Sequence, residues 1–185
     1  MTRVAHKPLV LNTNPIRAKD FVSLGSMFAP GVMFVVALAV AHAFDGRFAW
    51  LATPVRYPWE FWVLAACGTV ATAGGLGDWL FHRTYVAVGP HEHRAHVLAL
   101  ASGGLPLFFL MAAASVLASP LVLLVPVLVV VLYMTALICF DEFAFHRHRC
   151  TPLETLLHRL LVFGNGVAWL AWTHWCFVRG GAGGA

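Results

Sequence analysis

VLALASGGLPLFFLMAAASVLASPLVLLVPVLVVVLYMTALICF, residues 97–140, contains no charged side chain. As one helix rising about 1.5 Å per residue, it would be roughly twice as long as a bilayer core of about 30 Å is thick. The chain must therefore fold back within it, and Ala118-Ser119-Pro120 is the best breaking point. This stretch predicts two membrane-spanning helices joined by a short turn.

Further apolar stretches lie on both sides of this pair. The whole chain is 60% hydrophobic and 11% charged, whereas about a quarter of the residues of a soluble domain are charged. Only helices and closed barrels satisfy their backbone in lipid. We therefore predict an all-α integral membrane protein of one domain, with five transmembrane helices. The predicted spans are 21–44, 61–82, 91–117, 121–146 and 152–178.

The basic residues indicate the orientation. The segments expected on one side carry nine of them: Arg3, Lys7, Arg17, Lys19, Arg83, Arg94, Arg147, Arg149 and Arg159. The other side has Arg47, Arg56 and Arg179. The positive-inside rule then places the N-terminus in the cytoplasm and the C-terminus outside a cell (inner) membrane. Residues 1–20 are predicted to be a cytoplasmic tail and 179–185 a flexible tail.

Composition also excludes several classes. The four cysteines form no CxxC pair, which argues against a disulfide framework and a thiolate metal site. The net charge of +4 is interpreted as a topology signal, so no nucleic acid partner is expected. The first twenty residues have no apolar core, so we predict no cleavable signal peptide.

Four of the ten histidines follow an acidic residue by four positions. On a helix these two positions share a face, so each pair points both side chains in one direction. With eight acidic residues in the chain, so many pairs are not expected by chance. The pairs are Asp78/His82, Glu92/His96, Glu142/His146 and Glu154/His158.

The pairs fall into two matching halves. Asp78-Trp-Leu-Phe-His82-Arg83 is similar to Glu142-Phe-Ala-Phe-His146-Arg147, and each is followed by a Pro-x-Glu-x3-His segment. We predict that helices 2–3 and 4–5 form a pseudo-twofold repeat with its axis along the membrane normal. All four pairs then lie at cytoplasmic helix ends and meet in one four-helix metal-binding bundle.

Four carboxylates and four imidazoles suit two divalent ions better than one. Nitrogen and oxygen ligands without thiolate favour iron, with zinc and manganese as alternatives. The opposing interpretation is an ion-paired cytoplasmic rim. In particular, Glu154 follows Thr151-Pro152-Leu153 as in a capping box, and Glu92 lies in a first helical turn.

Further residues near these pairs are candidates of lower rank. His93 is a candidate additional ligand, and Asp141, His148 and His91 are candidates for supporting contacts. Asn165, Gly103 and Gly75 lie deeper and are predicted to line a narrow substrate pocket, with an interhelical hydrogen bond of Asn165 as the alternative. His42 and His174 lie at outer helix ends, and we do not expect haem there.

The chemistry of this centre resembles that of the ferritin-like di-iron proteins, which use Glu-x2-His in place of Asp/Glu-x3-His. The resemblance is confined to ligand type and assigns the chain to no family.

The leading functional hypothesis is a di-iron oxidoreductase of the oxygen-dependent hydroxylase, desaturase or oxidase type. Its substrate would be lipid-like and enter from the bilayer, and a separate partner would supply electrons, because the chain has no flavin motif. A zinc-dependent membrane hydrolase, a divalent-metal transporter or sensor, and a structural metal clip are the alternatives. Assembly of the chain into a homo-oligomer is a further alternative.

Overall fold

The computed structural model describes residues 18–85, 90–141, 143 and 151–183. All regular secondary structure in these ranges is helical, which confirms the predicted class. The principal helices are α1 (Ala18–Phe44), α2 (Trp59–Thr84), α3 (Pro90–Ala99), α4 (Leu105–Val116), α5 (Leu124–Asp141) and α6 (Pro152–Thr173). A π-helical turn, Leu100–Gly104, joins α3 to α4, and another, His174–Val178, extends α6.

Within the part of the chain that the structure describes, three helical segments are long and apolar enough to cross a membrane: Trp59–Thr84, Arg94–Val116 and Pro120–Phe140. A fourth span results if Gly31–Phe44 and Gly46–Ala52, which meet at 115°, count as one. This arrangement is compatible with a membrane protein. The fifth predicted span, which corresponds to α6, is not in this set, and its first two turns carry Glu154 and His158.

The closest helix pair is α2 and α6, which run antiparallel along most of their length. Glycine makes this approach possible: a Cβ on Gly74 would lie 2.8 Å from the backbone nitrogen of Leu161. On the other helix, a Cβ on Gly164 would lie 2.9 Å from the backbone nitrogen of Ala71. The two backbones therefore touch directly, as in membrane helix pairs with small residues at the contact.

The apolar core lies near the end of the bundle where α2 begins and α6 ends, here called the distal end. Its largest fully buried side chains include Trp172, Trp175 and Phe48. Trp172 donates a hydrogen bond from Nε1 to Ser115 Oγ at 2.9 Å, which joins α6 to α4. The opposite end, where α2 ends and α6 begins, is called the ligand end.

Two 3₁₀ helices, Gly46–Ala52 and Pro54–Arg56, connect α1 to α2 at the distal end. Asp45 caps the first of them by accepting a hydrogen bond from the Arg47 backbone N–H at 3.0 Å. Arg47 also donates from Nη2 to the Val116 carbonyl oxygen at 2.9 Å. The connection is thereby fastened to the end of α4.

The segment after residue 178, predicted to be a flexible tail, forms a turn in its described part. Gly180 and Gly181 have positive φ values of 82° and 62°, a conformation that glycine adopts without strain. They turn the chain back so that Gly181–Gly183 forms a 3₁₀ turn and Ala182 is buried in the core.

Candidate metal centre

The start of α6 is fixed by its capping box. The Glu154 backbone N–H donates to Thr151 Oγ1 at 3.2 Å, and the Thr151 backbone N–H donates to Glu154 Oε2 at 3.1 Å. Pro152 at the first helical position has the φ value that a helix needs. The sequence thus places Glu154 in the first turn, and His158 follows one turn later on the same face.

The last turns of α2 supply the opposing side chains. Asp78 and His82 are four residues apart, so they occupy one face of α2 near its end at Thr84. Because α2 and α6 are antiparallel, this face meets the first turns of α6. The ring centroids of His82 and His158 lie 6.3 Å apart across the helix contact.

Among the described residues, Asp78, His82 and His158 form a group that could hold a metal ion, with one ligand atom of each within 4.8 Å of the others. His158 Nε2 lies 2.9 Å from Asp78 Oδ1, and His82 Nε2 lies 3.6 Å from the same oxygen. His82 Nε2 is also 3.4 Å from Glu154 Oε1. Two predicted pairs, from helices far apart in sequence, therefore meet in space.

These spacings fit a coordination shell. Ligands about 2.0–2.2 Å from one ion are about 2.8–3.6 Å from each other in octahedral or tetrahedral geometry. The buried Oδ1 of Asp78 makes no hydrogen bond of acceptable geometry, although His158 Nε2 is 2.9 Å away. A buried carboxylate oxygen without a hydrogen bond is costly, and a cation between it and the imidazoles would satisfy it.

Glu154 uses its two oxygens differently. Oε2 accepts the capping hydrogen bond from Thr151, while Oε1 faces His82. The capping and ligand interpretations of this residue are therefore compatible, because they concern different atoms. The cap also holds the carboxylate in place beside the imidazole.

The surroundings of the group are shielded but not closed. The side chains of Asp78, His82, Glu154 and His158 are between 6% and 17% exposed. Leu80 on α2 and Leu156 on α6 are exposed, and each lies two residues from the ligands, on the opposite face of its helix. The group itself is reachable by an ion.

The other predicted ligands cannot be placed in the same way. Glu142, His146 and His148, and the side chains of Glu92, His93 and Asp141, lie outside the described residues. His96 lies on α3 and is half-buried, and His91 is exposed. The helix that carries His96 contacts α5.

The residues predicted to line a pocket are found in separate surroundings. Asn165 is exposed, and its Nδ2 donates to the Leu161 carbonyl oxygen at 3.0 Å. The space beside Gly103 is filled by the Met134 side chain, and Gly75 is buried. Two open cavities of about 430 and 360 Å³ lie between α1 and α4, where Ala37 and Phe109 line both.

Sequence reasoning missed Glu60, which is 0% exposed at the distal end. It accepts a hydrogen bond from His174 Nδ1 at 2.7 Å and from Arg179 Nη1 at 3.1 Å. The available signal was the position of Glu60 just before one apolar span and of His174 and Arg179 at the end of another. His42 has a different contact, donating from Nδ1 to the Phe48 carbonyl oxygen at 2.9 Å.

Comparison with models of known protein families, with characterised proteins and with solved structures gives no match. The chemistry of the site must therefore be argued from its residues.

Proposed function

We propose that the chain is a membrane-embedded dinuclear metalloprotein, a di-iron oxidoreductase that acts on a lipid-like substrate at the cytoplasmic leaflet. The observation that carries this proposal is the convergence of Asp78, His82 and His158 at the ligand end of α2 and α6. We assign this end to the cytoplasmic side from the distribution of basic residues.

The donor set supports iron. Two histidines and one carboxylate with open positions are the typical ligands of non-haem iron enzymes that activate oxygen. In the proposed centre, His82 and His158 bind through Nε2 and Asp78 through Oδ1. Glu154 Oε1 lies beside His82 and is a further ligand or a hydrogen-bond partner that orients an iron-bound group. Iron supplies the redox chemistry, and these residues set its position.

A second ion follows from the proposed repeat. The partner of the α2–α6 pair under the pseudo-twofold axis is the pair α3–α5, and these two helices are in contact. Glu92 and His96 on α3 would then face Glu142 and His146 at the end of α5. Such crosswise pairing supports two ions at one depth, each held mainly by one helix pair.

The packing of α2 on α6 argues against a purely structural clip. Gly74 and Gly164 already bring the two backbones into contact deeper in the bundle. A metal is not needed to join these helices, whereas a bound cation would offset the cost of the ionisable groups gathered beside the bilayer. This favours a working site.

A zinc-dependent hydrolase is the second candidate. The observation that favours it is Glu154 Oε1, 3.4 Å from His82 Nε2. As an uncoordinated base beside a zinc ion, this carboxylate would take the proton of the attacking water. Two histidines and Asp78 would then be the three protein ligands of a catalytic zinc site.

The experiment is elemental analysis of protein purified in detergent after anaerobic loading with ferrous iron, and separately with zinc or manganese. We expect about two irons per chain, reduced in His82→Ala and His158→Ala. His42→Ala is the matched control, since His42 lies at the distal end and contacts a backbone carbonyl. It should keep the full metal content.

The outcomes separate the candidates. Two irons support the oxidoreductase and justify oxygen-consumption assays with lipid substrates and a chemical reductant. Two zincs with no retained iron favour the hydrolase. A protein that retains none of the three metals overturns the proposal and leaves an ion-paired rim.

A further inference from the structure

We propose that Glu60 is a positioning residue that sets the register of α2 against α6 from the distal end, and thereby aligns the metal ligands at the other end. The inference rests on the proposed function for its effect on metal binding. Its effect on helix register is independent of any metal.

Glu60 lies in the first turn of α2 and is fully buried. Its Oε1 accepts from His174 Nδ1 at 2.7 Å, and its Oε2 accepts from Arg179 Nη1 at 3.1 Å. Both carboxylate oxygens are thus bound by the segment that ends α6. Breaking one partner of such a buried charged contact is strongly destabilising, because the remaining charge stays buried without compensation.

The π-helical turn His174–Val178 makes this double contact possible. In an α-helix, residues five apart point about 140° away from each other, at about 100° per residue. In the π turn, the Arg179 backbone N–H donates to the His174 carbonyl oxygen at 3.0 Å, which places these residues one above the other. His174 and Arg179 therefore reach the same carboxylate.

The centre of the α2–α6 contact is close. A Cβ on Gly74 would lie 2.9 Å from Leu160 Cβ, and one on Gly164 would lie 3.0 Å from Ala71 Cβ, so side chains of each helix fit beside a glycine of the other. The two hydrogen bonds of Glu60 act together with this packing to hold the register from the distal end.

The register is continuous from one end of the pair to the other. Along α2, the contacts pass from Glu60 through Ala71 and Gly74 to Asp78 and His82. Along α6, their partners pass backward from His174 through Gly164 and Leu160 to His158 and Glu154, over 20 residues against 22 on α2.

A slip by one residue would move the facing atoms by about 1.5 Å. Metal ligands must be held within about 0.5 Å of their working positions, so a partial slip is enough to weaken the site.

The test compares Glu60→Gln with Ser115→Ala. The glutamine keeps the shape and loses the charge. The control removes the hydrogen-bond acceptor of Trp172, a buried contact between α4 and α6 that is not part of the α2–α6 register. Both variants are expected to lower the melting temperature. Only Glu60→Gln is expected to weaken Co²⁺ binding, about tenfold, and to change the visible absorption bands of bound Co²⁺.

A second measurement does not depend on metal. Spin labels at Tyr85→Cys and Leu156→Cys, both exposed positions near the ligand end, report the α2–α6 distance in a protein without its native cysteines. We expect a narrow distance distribution in the parent and in Ser115→Ala, and a broad or shifted one in Glu60→Gln. An unchanged distribution in Glu60→Gln overturns the positioning role. If the parent binds no Co²⁺ but Glu60→Gln still broadens or shifts the distance distribution, the metal proposal is refuted and the positioning role is supported.

Discussion

Asp78 Oδ1 lies 2.9 Å from His158 Nε2, across the closest helix contact of the molecule. The two residues belong to α2 and α6, which are separated in sequence by three helices and their connections. Their proximity therefore depends on the whole bundle and not on a local turn. The same contact joins two of the Asp/Glu-x3-His pairs, so the sequence pattern and the tertiary structure select the same residues.

Substitutions at the two contact glycines should separate the helices. Gly74→Ala would place a Cβ 2.8 Å from Leu161 N, and Gly164→Ala would place one 2.9 Å from Ala71 N. Both neighbours are backbone atoms, so the helices must move apart. We expect a loss of about 1–3 kcal/mol in the free energy of unfolding, measured by denaturation in detergent.

Matched controls for these substitutions are Gly68→Ala on α2 and Gly166→Ala on α6. A Cβ at either position meets nothing within 4 Å. These variants should be neutral or stabilised by up to about 1 kcal/mol, because alanine favours the helix. If all four variants behave alike, the close α2–α6 contact is wrong.

Removing the cap of α6 should disturb both the helix and the site. Thr151→Ala deletes the hydroxyl oxygen that accepts from the Glu154 backbone N–H at 3.2 Å. Loss of such a cap costs about 1 kcal/mol, and Thr151→Ser should retain most of the stability. We further expect faster loss of bound metal from Thr151→Ala in a chelator competition assay. Equal metal retention in the two variants would show that the cap does not support Glu154.

Acid should weaken the connection between α1 and α2. The Arg47 side chain, which hydrogen-bonds the Asp45 carboxylate, lowers the pKa of Asp45 below its ordinary value. As pH falls, the Asp45 carboxyl of the unfolded chain therefore binds a proton before that of the folded protein does. The contribution of Asp45 to the free energy of unfolding is complete above its ordinary pKa and is lost as pH falls through the lowered folded value.

The effect of this exposed pair should be small, and Asp45→Asn should remove it. The measurement is the melting temperature of both proteins between neutral pH and about pH 3. Parallel pH profiles would contradict the assignment to Asp45.

Reporter fusions test the proposed five spans. With the N-terminus in the cytoplasm, a reporter active only outside should be inactive after Tyr85 and active after Val55 and after the last residue. Phosphatase and fluorescent-protein fusions give complementary signals at each point. The fusion at the C-terminus is decisive for α6, because α6 is not among the helices that qualify as spans by length and hydropathy. A C-terminal reporter that stays in the cytoplasm would mean that α6 does not cross the membrane and lies on its surface or within the protein.

Apolar runs and the His/carboxylate spacing predicted much of what is described. The long uncharged run breaks near Ser119 and Pro120, as proline and chain reversal require. The i,i+4 rule predicted Asp78 with His82 and Glu154 with His158 on common faces, and the structure brings Asp78, His82 and His158 together. Spacing alone did not show which helices become neighbours, because that depends on where small residues allow backbone contact. The glycines of α2 and α6 decide this.

Other features have no clear periodic signal. Glu60 is a single acidic residue whose burial depends on a π turn about a hundred residues away in sequence. Asn165 was predicted from a regular helical stripe to point into a pocket, whereas in the structure it is exposed and bonds the preceding turn of its own helix. A uniform rotation of about 100° per residue predicts the surroundings of neither residue, because helix packing decides which face is buried and a π turn changes the local helical period.

The π turn Leu100–Gly104 lies between α3 and α4. The side-chain faces of these two helices are therefore not related by one regular α-helical period. One extra residue in a turn rotates everything beyond it by about 100° relative to an uninterrupted α-helix. The face that α4 offers to the core is thereby uncoupled from the face on which α3 carries His96. Substitutions that improve the packing of α4 can accumulate without redirecting His96, so the two ends of this helix are free to evolve under separate constraints.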